Sequence, residues 1–222
     1  MKKVRCFDAG LVSYVRAWRW QQALQARAVQ GTLRQPATHT MDTLILCEHP
    51  SVFTLGRRGT LENLRFDHAD PASPHTILRV DRGGEVTWHG PGQIVGYPVL
   101  NLTQHRRDLH WYIRQIEEVI IGTLQSFGIR GTRDDAGTGV WVGDAKIAAI
   151  GLSASRWVTM HGFALNVEPD LSFFGLIVPC GIQNRSVTSL RELLGNGQPS
   201  KDLVVATLRR SGSHDIYEIH HV

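Results

Sequence analysis

RGGEVTWHGPGQIVGYPVLN, residues 82–101, is the stretch from which this chain is best read. Five glycines (Gly83, Gly84, Gly90, Gly92, Gly96) and two prolines (Pro91, Pro98) stand there among strand-forming apolar residues. Ordinary strands are depleted in both types. Glycine has no Cβ, so its main chain reaches positive φ and can come close to a ligand. Val86 to Trp88 and Ile94 to Leu100 still read as extended, so the pattern predicts two strands joined by a tight turn at His89-Gly90-Pro91-Gly92. Two interpretations stay open on these residues alone. One is a pocket wall whose backbone N–H groups face a substrate; the other is a sharp hairpin with no ligand.

The rest of the chain narrows the setting. A length of 222 residues is one to one and a half domains, with no internal repeat or linker to divide it. No apolar run approaches the ~20 residues of a membrane span. The start, MKKVRCFDAG, has lysines but no apolar segment behind them, so it does not read as a secretory signal, and the cytoplasm is the expected compartment. Three cysteines (Cys6, Cys47, Cys180) are widely spaced and odd in number, against a disulfide framework and against a Cys-x-x-Cys metal site. A net charge of +4 is too mild for a nucleic-acid binder, although the pairs Arg57-Arg58 and Arg106-Arg107 suit an acidic partner.

Outward from residues 82–101, strands and helices alternate. Leu11 to Val29 has helical spacing and Gly31 as its stop. Asp42 to Cys47, Ser51 to Leu55 and Thr76 to Val80 read as strands, with Cys47 a small core residue. Asp108 to Phe127 is the clearest helix, apolar at three- and four-residue steps, with Asp108 as N-cap and Gly128 as stop. Its stripe reads as core. Gly139 to Gly143, Lys146 to Leu152 and Trp157 to Val167 predict a three-stranded meander. Leu171 to Phe174 and Val178 to Ile182 are less regular, Asp202 to Arg209 is a short helix, and the His-rich tail from Ser211 to Val222 is expected to fray. Grouped strands around one long helix predict an α+β fold in one domain spanning 1–222.

Cys180 sits in Pro179-Cys180-Gly181, a loop with a flexible neighbour. A reactive cysteine needs access and a positive neighbour. Lys146, at the head of the apolar run Ile147 to Ile150, is the candidate; an inert cysteine and a solvated lysine are the plain alternative. His89 and His161 could join Cys180 as zinc ligands, but their spacing matches no compact metal signature, and either could be the base of a Cys-His hydrolase. Gly56-Arg57-Arg58-Gly59 resembles a phosphate loop only faintly and lacks the Gly-x-x-x-x-Gly-Lys pattern.

Several motifs in one order resemble the lipoyl(octanoyl) transferase family. They are Arg82 to Gln93 with Gly96-Tyr97-Pro98, Gly139 to Val142 with Lys146 to Gly151, Arg156-Trp157 with His161 to Asn166, and Pro179 to Ile182, with His49-Pro50 and Thr54 to Gly56 ahead of them. The likeness runs from about Leu46 to about Leu190; Trp88 replaces a commoner tyrosine, and the tail beyond Asn196 follows no family pattern. The resemblance implies the fold of lipoate and biotin protein ligases, a mixed sheet flanked by helices. It implies Cys180 as the acyl-thioester nucleophile and Lys146 as its partner, with no metal and no cofactor. It places substrate against Arg82, Gly83, Gly84, Glu85, Val86, Thr87, Trp88 and His89, against Ala149, Ile150 and Gly151, and against Gly162, Phe163 and Ala164. The implied donor is octanoyl-acyl carrier protein. The implied acceptors are lipoyl domains of 2-oxoacid dehydrogenases and the glycine cleavage H protein, with neither nucleic acid nor membrane as a partner. An ATP-using lipoate or biotin ligase and a non-catalytic module that binds acyl carrier or lipoyl domains are the alternatives. An adenylate mechanism needs no thiol, and such a module would have lost its nucleophile.

Overall fold

The computed structural model describes residues 3–33, 41–70, 72–134, 137–178, 185–211 and 218–220, with the main chain alone for residue 3 and for 218–220. The chain opens with strand β1 (Lys3–Leu11) and helix α1 (Tyr14–Leu33). Strands β2 (Asp42–Glu48), β3 (Val52–Leu55), β4 (Ile77–Arg79), β5 (Val86–His89) and β6 (Gln93–Val99) follow. Helix α2 (Leu109–Gln125) separates these from β7 (Gly139–Val142), β8 (Ala145–Ser155) and β9 (Val158–Asn166). The end consists of β10 (Ser186–Val187), α3 (Leu190–Leu194), α4 (Lys201–Ser211) and β11 (Glu218–His220). No helix among these is long and apolar enough to cross a membrane.

A large mixed sheet runs β10, β8, β9, β6, β2, β1, β11, with β7 also paired to β8; a small one runs β4, β3, β5. Alternation along β2 explains why its sequence shows no polar face. Leu44 and Leu46 enter the core with Tyr112, Ile116 and Ile120 of α2 and Val204 and Leu208 of α4. Ile45 and Cys47 point the other way, into a second core with Tyr14 and Ala17 of α1. Both faces are covered, so the strand is apolar throughout.

The tight turn at His89 to Gly92 is present, but the strands on either side of it do not pair. β5 joins β3 in the small sheet, whereas β6 lies between β2 and β9 in the large one. The glycines make this handover possible. Gly92 has φ +86°, and a Cβ on it would lie 2.6 Å from the main chain of Glu168. Its N–H donates to Glu48 Oε2 at 2.6 Å, and Lys201 Nζ holds the other Glu48 oxygen at 2.7 Å. A Cβ on Gly90 would lie 2.1 Å from the Trp88 ring.

Three further expectations need correction. Gly31 does not stop α1: it has no positive φ, lies on the buried face, and the helix continues to Leu33. β1 precedes α1, where no strand was expected. Within the tail expected to fray, Glu218–His220 pairs in parallel with Lys3–Arg5, and 212–217 and 221–222 lie outside the described residues. The cap and stop expected for α2 hold: the Asp108 side chain accepts from Trp111 N–H at 3.0 Å, and Gly128 takes φ +75° just beyond the helix; of the stripe expected in the core, Leu109 is instead exposed.

Candidate active site

A cavity of about 710 Å³ lies against the segment after β4, the centres of β8 and β9, and the first turns of α2. Arg82, Gly83, Gly84, Glu85, Val86, Thr87 and His89 line it, together with Ala149, Ile150, Gly151, Gly162, Phe163, Ala164 and Lys146. Sequence therefore brought nearly all of its candidates to one place. Cys180 lies outside the described residues. Trp88 does not line the cavity: it is stacked on Phe173 in the core of the small sheet, ring centroids 4.8 Å apart, and its Nε1 donates to Ser51 Oγ at 2.9 Å. Alternation accounts for this, because Trp88 faces away from its neighbours Thr87 and His89.

The wall from Arg82 to Glu85 is built by main-chain pairing. Gly83 N–H donates to Leu152 O of β8, and the N–H groups of Gly56, Arg57 and Arg58 donate to the carbonyls of Glu85, Arg82 and Gly84. Gly59 N–H turns back to Gly56 O. All four N–H groups of the Gly56 to Gly59 loop are thus engaged and form no phosphate cradle. Arg82 is buried and its guanidinium binds main chain: Nη2 donates to Thr54 O, Thr54 Oγ1 and Glu85 O, and Nη1 to Gly83 O, at 2.7–3.1 Å. Gly162 serves sheet packing as much as the cavity, since a Cβ there would lie 2.1 Å from Gly96 O of β6.

Lys146 Nζ donates to Thr138 O at 3.3 Å and sits 4.7 Å from the centre of the Trp141 ring, a cation–π setting. At the opposite wall a cluster of rings forms around Tyr14, which stacks on His89 (centroids 5.6 Å) and tilts against His49 (5.1 Å). Burial pushes His89 down to about 3 and His49 down to about 4, so both rings are neutral at ordinary pH. His49 Nδ1 donates to Val12 O at 2.7 Å, which leaves Nε2 to accept from the Tyr97 hydroxyl, also at 2.7 Å. Burial pushes the Tyr14 hydroxyl up to about 12.

His161 is in the left-handed region at φ +59°, within a strand, a conformation that costs about 1–3 kcal/mol. It is held there by Gln21 Oε1, which accepts its main-chain N–H at 2.8 Å, and by Asp81 Oδ1, 2.8 Å from its Nε2. The hydrogen bond from His161 brings the Asp81 carboxyl down to about 2. Among the described residues no group of three or more His, Cys, Asp or Glu side chains is placed to hold a metal. Tyr14, Gln93, Tyr97, Asn166 and the α2 residues Leu109 and Ile113 also line the cavity and were not singled out from sequence as site residues. Gln93 and Asn166 end two of the motifs quoted above; Tyr14, Leu109 and Ile113 carried no signal beyond helical spacing.

The family model for the lipoyl protein ligase A/B catalytic domain matches residues 13–211. The octanoyltransferase of Synechococcus elongatus is 52% identical over 185 residues, covering 83% of this chain and 76% of that protein. The octanoyltransferase of Gloeobacter violaceus is 51% identical over 191 residues, covering 85% and 81%. A putative lipoate protein ligase from T. acidophilum, solved with bound lipoic acid, superposes with a TM-score of 0.75 over 99% of this chain and 88% of that one. At 16% identity this last likeness concerns the fold, and it agrees with the mixed sheet expected from sequence. This chain belongs to the lipoyl protein ligase A/B catalytic-domain family, and within it to the octanoyltransferases.

Proposed function

We propose that this protein, acting in the cytoplasm as one catalytic domain, moves an octanoyl group from octanoyl-acyl carrier protein to the acceptor lysine of lipoyl domains, through a thioester on Cys180. The observation that carries this is the cavity, where three glycine- and alanine-rich segments meet beside Lys146. Ile150, Leu152, Phe163 and Leu109 give it apolar walls. At roughly 0.8 kcal/mol per buried methylene, a seven-carbon tail gains about 5 kcal/mol there.

Lys146 takes the proton of the Cys180 thiol, and the thiolate attacks the donor thioester. The new C–S bond forms as the old one breaks, and the carrier's thiol leaves with a proton. Thioester exchange is nearly isoenergetic, so it needs no ATP. The neutral amine of the acceptor lysine then attacks the Cys180 thioester; the C–N bond forms, the C–S bond breaks, and the amine's proton passes by way of Lys146 to sulfur. Amide formation from a thioester is downhill and drives the sequence. The other two cysteines are poor candidates for the nucleophile, since burial raises both Cys6 and Cys47 and holds them as thiols.

Intact mass after mixing with octanoyl-acyl carrier protein, without ATP or added metal, tests the proposal. One octanoyl group is expected on the chain and none on Cys180→Ala. A label mapping to Cys6 or Cys47, or a requirement for ATP, overturns it.

A further inference from the structure

His89, Gln93 and Asn166 form a chain of hydrogen bonds whose hydrogen positions follow from one main-chain group. Thr188 O can only accept, so the Asn166 atom 3.0 Å from it is Nδ2. Asn166 then turns Oδ1 toward Gln93, whose atom 2.9 Å away is Nε2. Gln93 in turn presents Oε1 to His89 Nδ1 at 2.7 Å, so that nitrogen carries the hydrogen. Flipping either amide alone would set two donors or two acceptors face to face at these distances. Trp88 O, 3.5 Å from Gln93 Nε2, favours the same sense. Gln93 and Asn166 are direct cross-strand partners on β6 and β9, and both are buried.

With Nδ1 protonated, burial above all, and the nearby Arg82 charge, keep the ring from taking a second proton. Nε2 therefore carries a lone pair. It has no hydrogen-bond partner among the described residues, and His89 lines the cavity. The far end of the chain meets the strand that carries Lys146: Thr188 N–H donates to Lys146 O at 3.0 Å, and Val187 pairs with Lys146.

We infer that Gln93 and Asn166 are positioning residues that fix His89 as its Nδ1–H tautomer, so that the Nε2 lone pair accepts an N–H of the amine attacking the acyl thioester. The inference rests on the acyl-transfer function proposed above. Of the groups at the reacting carbon, the acyl chain and its carbonyl have no hydrogen to donate, whereas the amine does. An acceptor on one N–H turns the nitrogen's own lone pair toward the carbonyl carbon. The C–N bond forms, the C–S bond breaks with its electron pair going to sulfur, and the proton lost by the amine goes to that sulfur by way of Lys146. His89 keeps its hydrogen bond and takes no proton.

Two-bond ¹H–¹⁵N correlation spectra of histidine-labelled protein near pH 7 test the tautomer without substrate. A protonated Nδ1 and a bare Nε2 on His89 are expected; an Nε2–H tautomer or a doubly protonated ring overturns the inference. Gln93→Glu, almost the same shape, puts a carboxylate against Nδ1–H and favours the doubly protonated ring, which has no lone pair to offer. In single-turnover assays, amine transfer from the acylated protein should then fall by about tenfold more than acylation by the thioester donor. Equal losses in both halves, or a doubly protonated His89 with transfer at the parent rate, overturn it. Asn166→Leu is the second variant: it frees the Gln93 amide to rotate, so mixed tautomers and slowed transfer are expected, and a single Nδ1–H tautomer with unchanged transfer overturns the relay. A parent protein that is never acylated at Cys180 overturns both the function and the amine-acceptor role, while the spectrum still decides the tautomer.

Discussion

Lys146 opens an apolar strand, and the structure supplies a reason for a lysine at that point: a carbonyl acceptor at Thr138 and the face of Trp141. Replacing it with alanine should abolish both acylation and transfer. Lys146→Arg keeps the charge but cannot give up a proton near neutral pH. It should retain part of the alkylation of Cys180 by iodoacetamide and transfer poorly, as followed by intact mass. The buried histidines make a separate prediction about acid. An unfolded histidine binds a proton near ~6.5. His49 and His89 refuse one until about 4 and about 3, so the unfolded state binds more protons through this window and stability falls as pH drops below ~6.5. Urea unfolding at several pH values should show this loss, and His89→Gln should make the slope shallower. An unchanged slope would place the neutral ring elsewhere.

The elements show what can and cannot be read in a sequence. α2 was legible because eight apolar positions, a cap and a stop agree on one period. The β7–β8–β9 meander was legible because each short turn is marked by glycine or charge. The segregation of β5 and β6 was not, since the turn at residues 89–92 has the same local chemistry whether its strands pair or part, and only distant partners β3 and β9 decide. β1 was missed because, among its described side chains, only Val4 is fully buried, leaving little alternation to detect. Of the site, the glycine-rich walls were visible by composition; the turn of Trp88 away from the cavity was not, because the motif is continuous in sequence while its side chains alternate. The two glycines of the β6–β9 contact should behave differently when changed. Gly162→Ala drives a Cβ to 2.1 Å from Gly96 O, a main-chain atom that cannot yield. Gly96→Ala meets the Phe163 ring first, at 2.3 Å. Each should lower stability by about 1–3 kcal/mol in thermal melts, but a second change, Phe163→Leu, should rescue Gly96→Ala alone.

At the scale of the molecule, the cavity and the chain's closing strand lie far apart. Four strand spacings of about 4.8 Å separate β9 from β11, about 19 Å in all. Truncation after Ser211 should therefore leave octanoyl transfer within about twofold, while light scattering detects greater self-association, because β1 loses its outer partner. Restored monodispersity with no tail present would refute this. The pairing of Lys3 to Arg5 with Glu218 to His220 also has a consequence for how the protein is made. These partners are separated by almost the whole chain, so during translation β1 can dock on β2 long before its other side is covered. From the docking of β1 on β2 until Glu218 to His220 emerge, the nascent chain carries one bare strand edge, open to any neighbouring polypeptide able to add a strand.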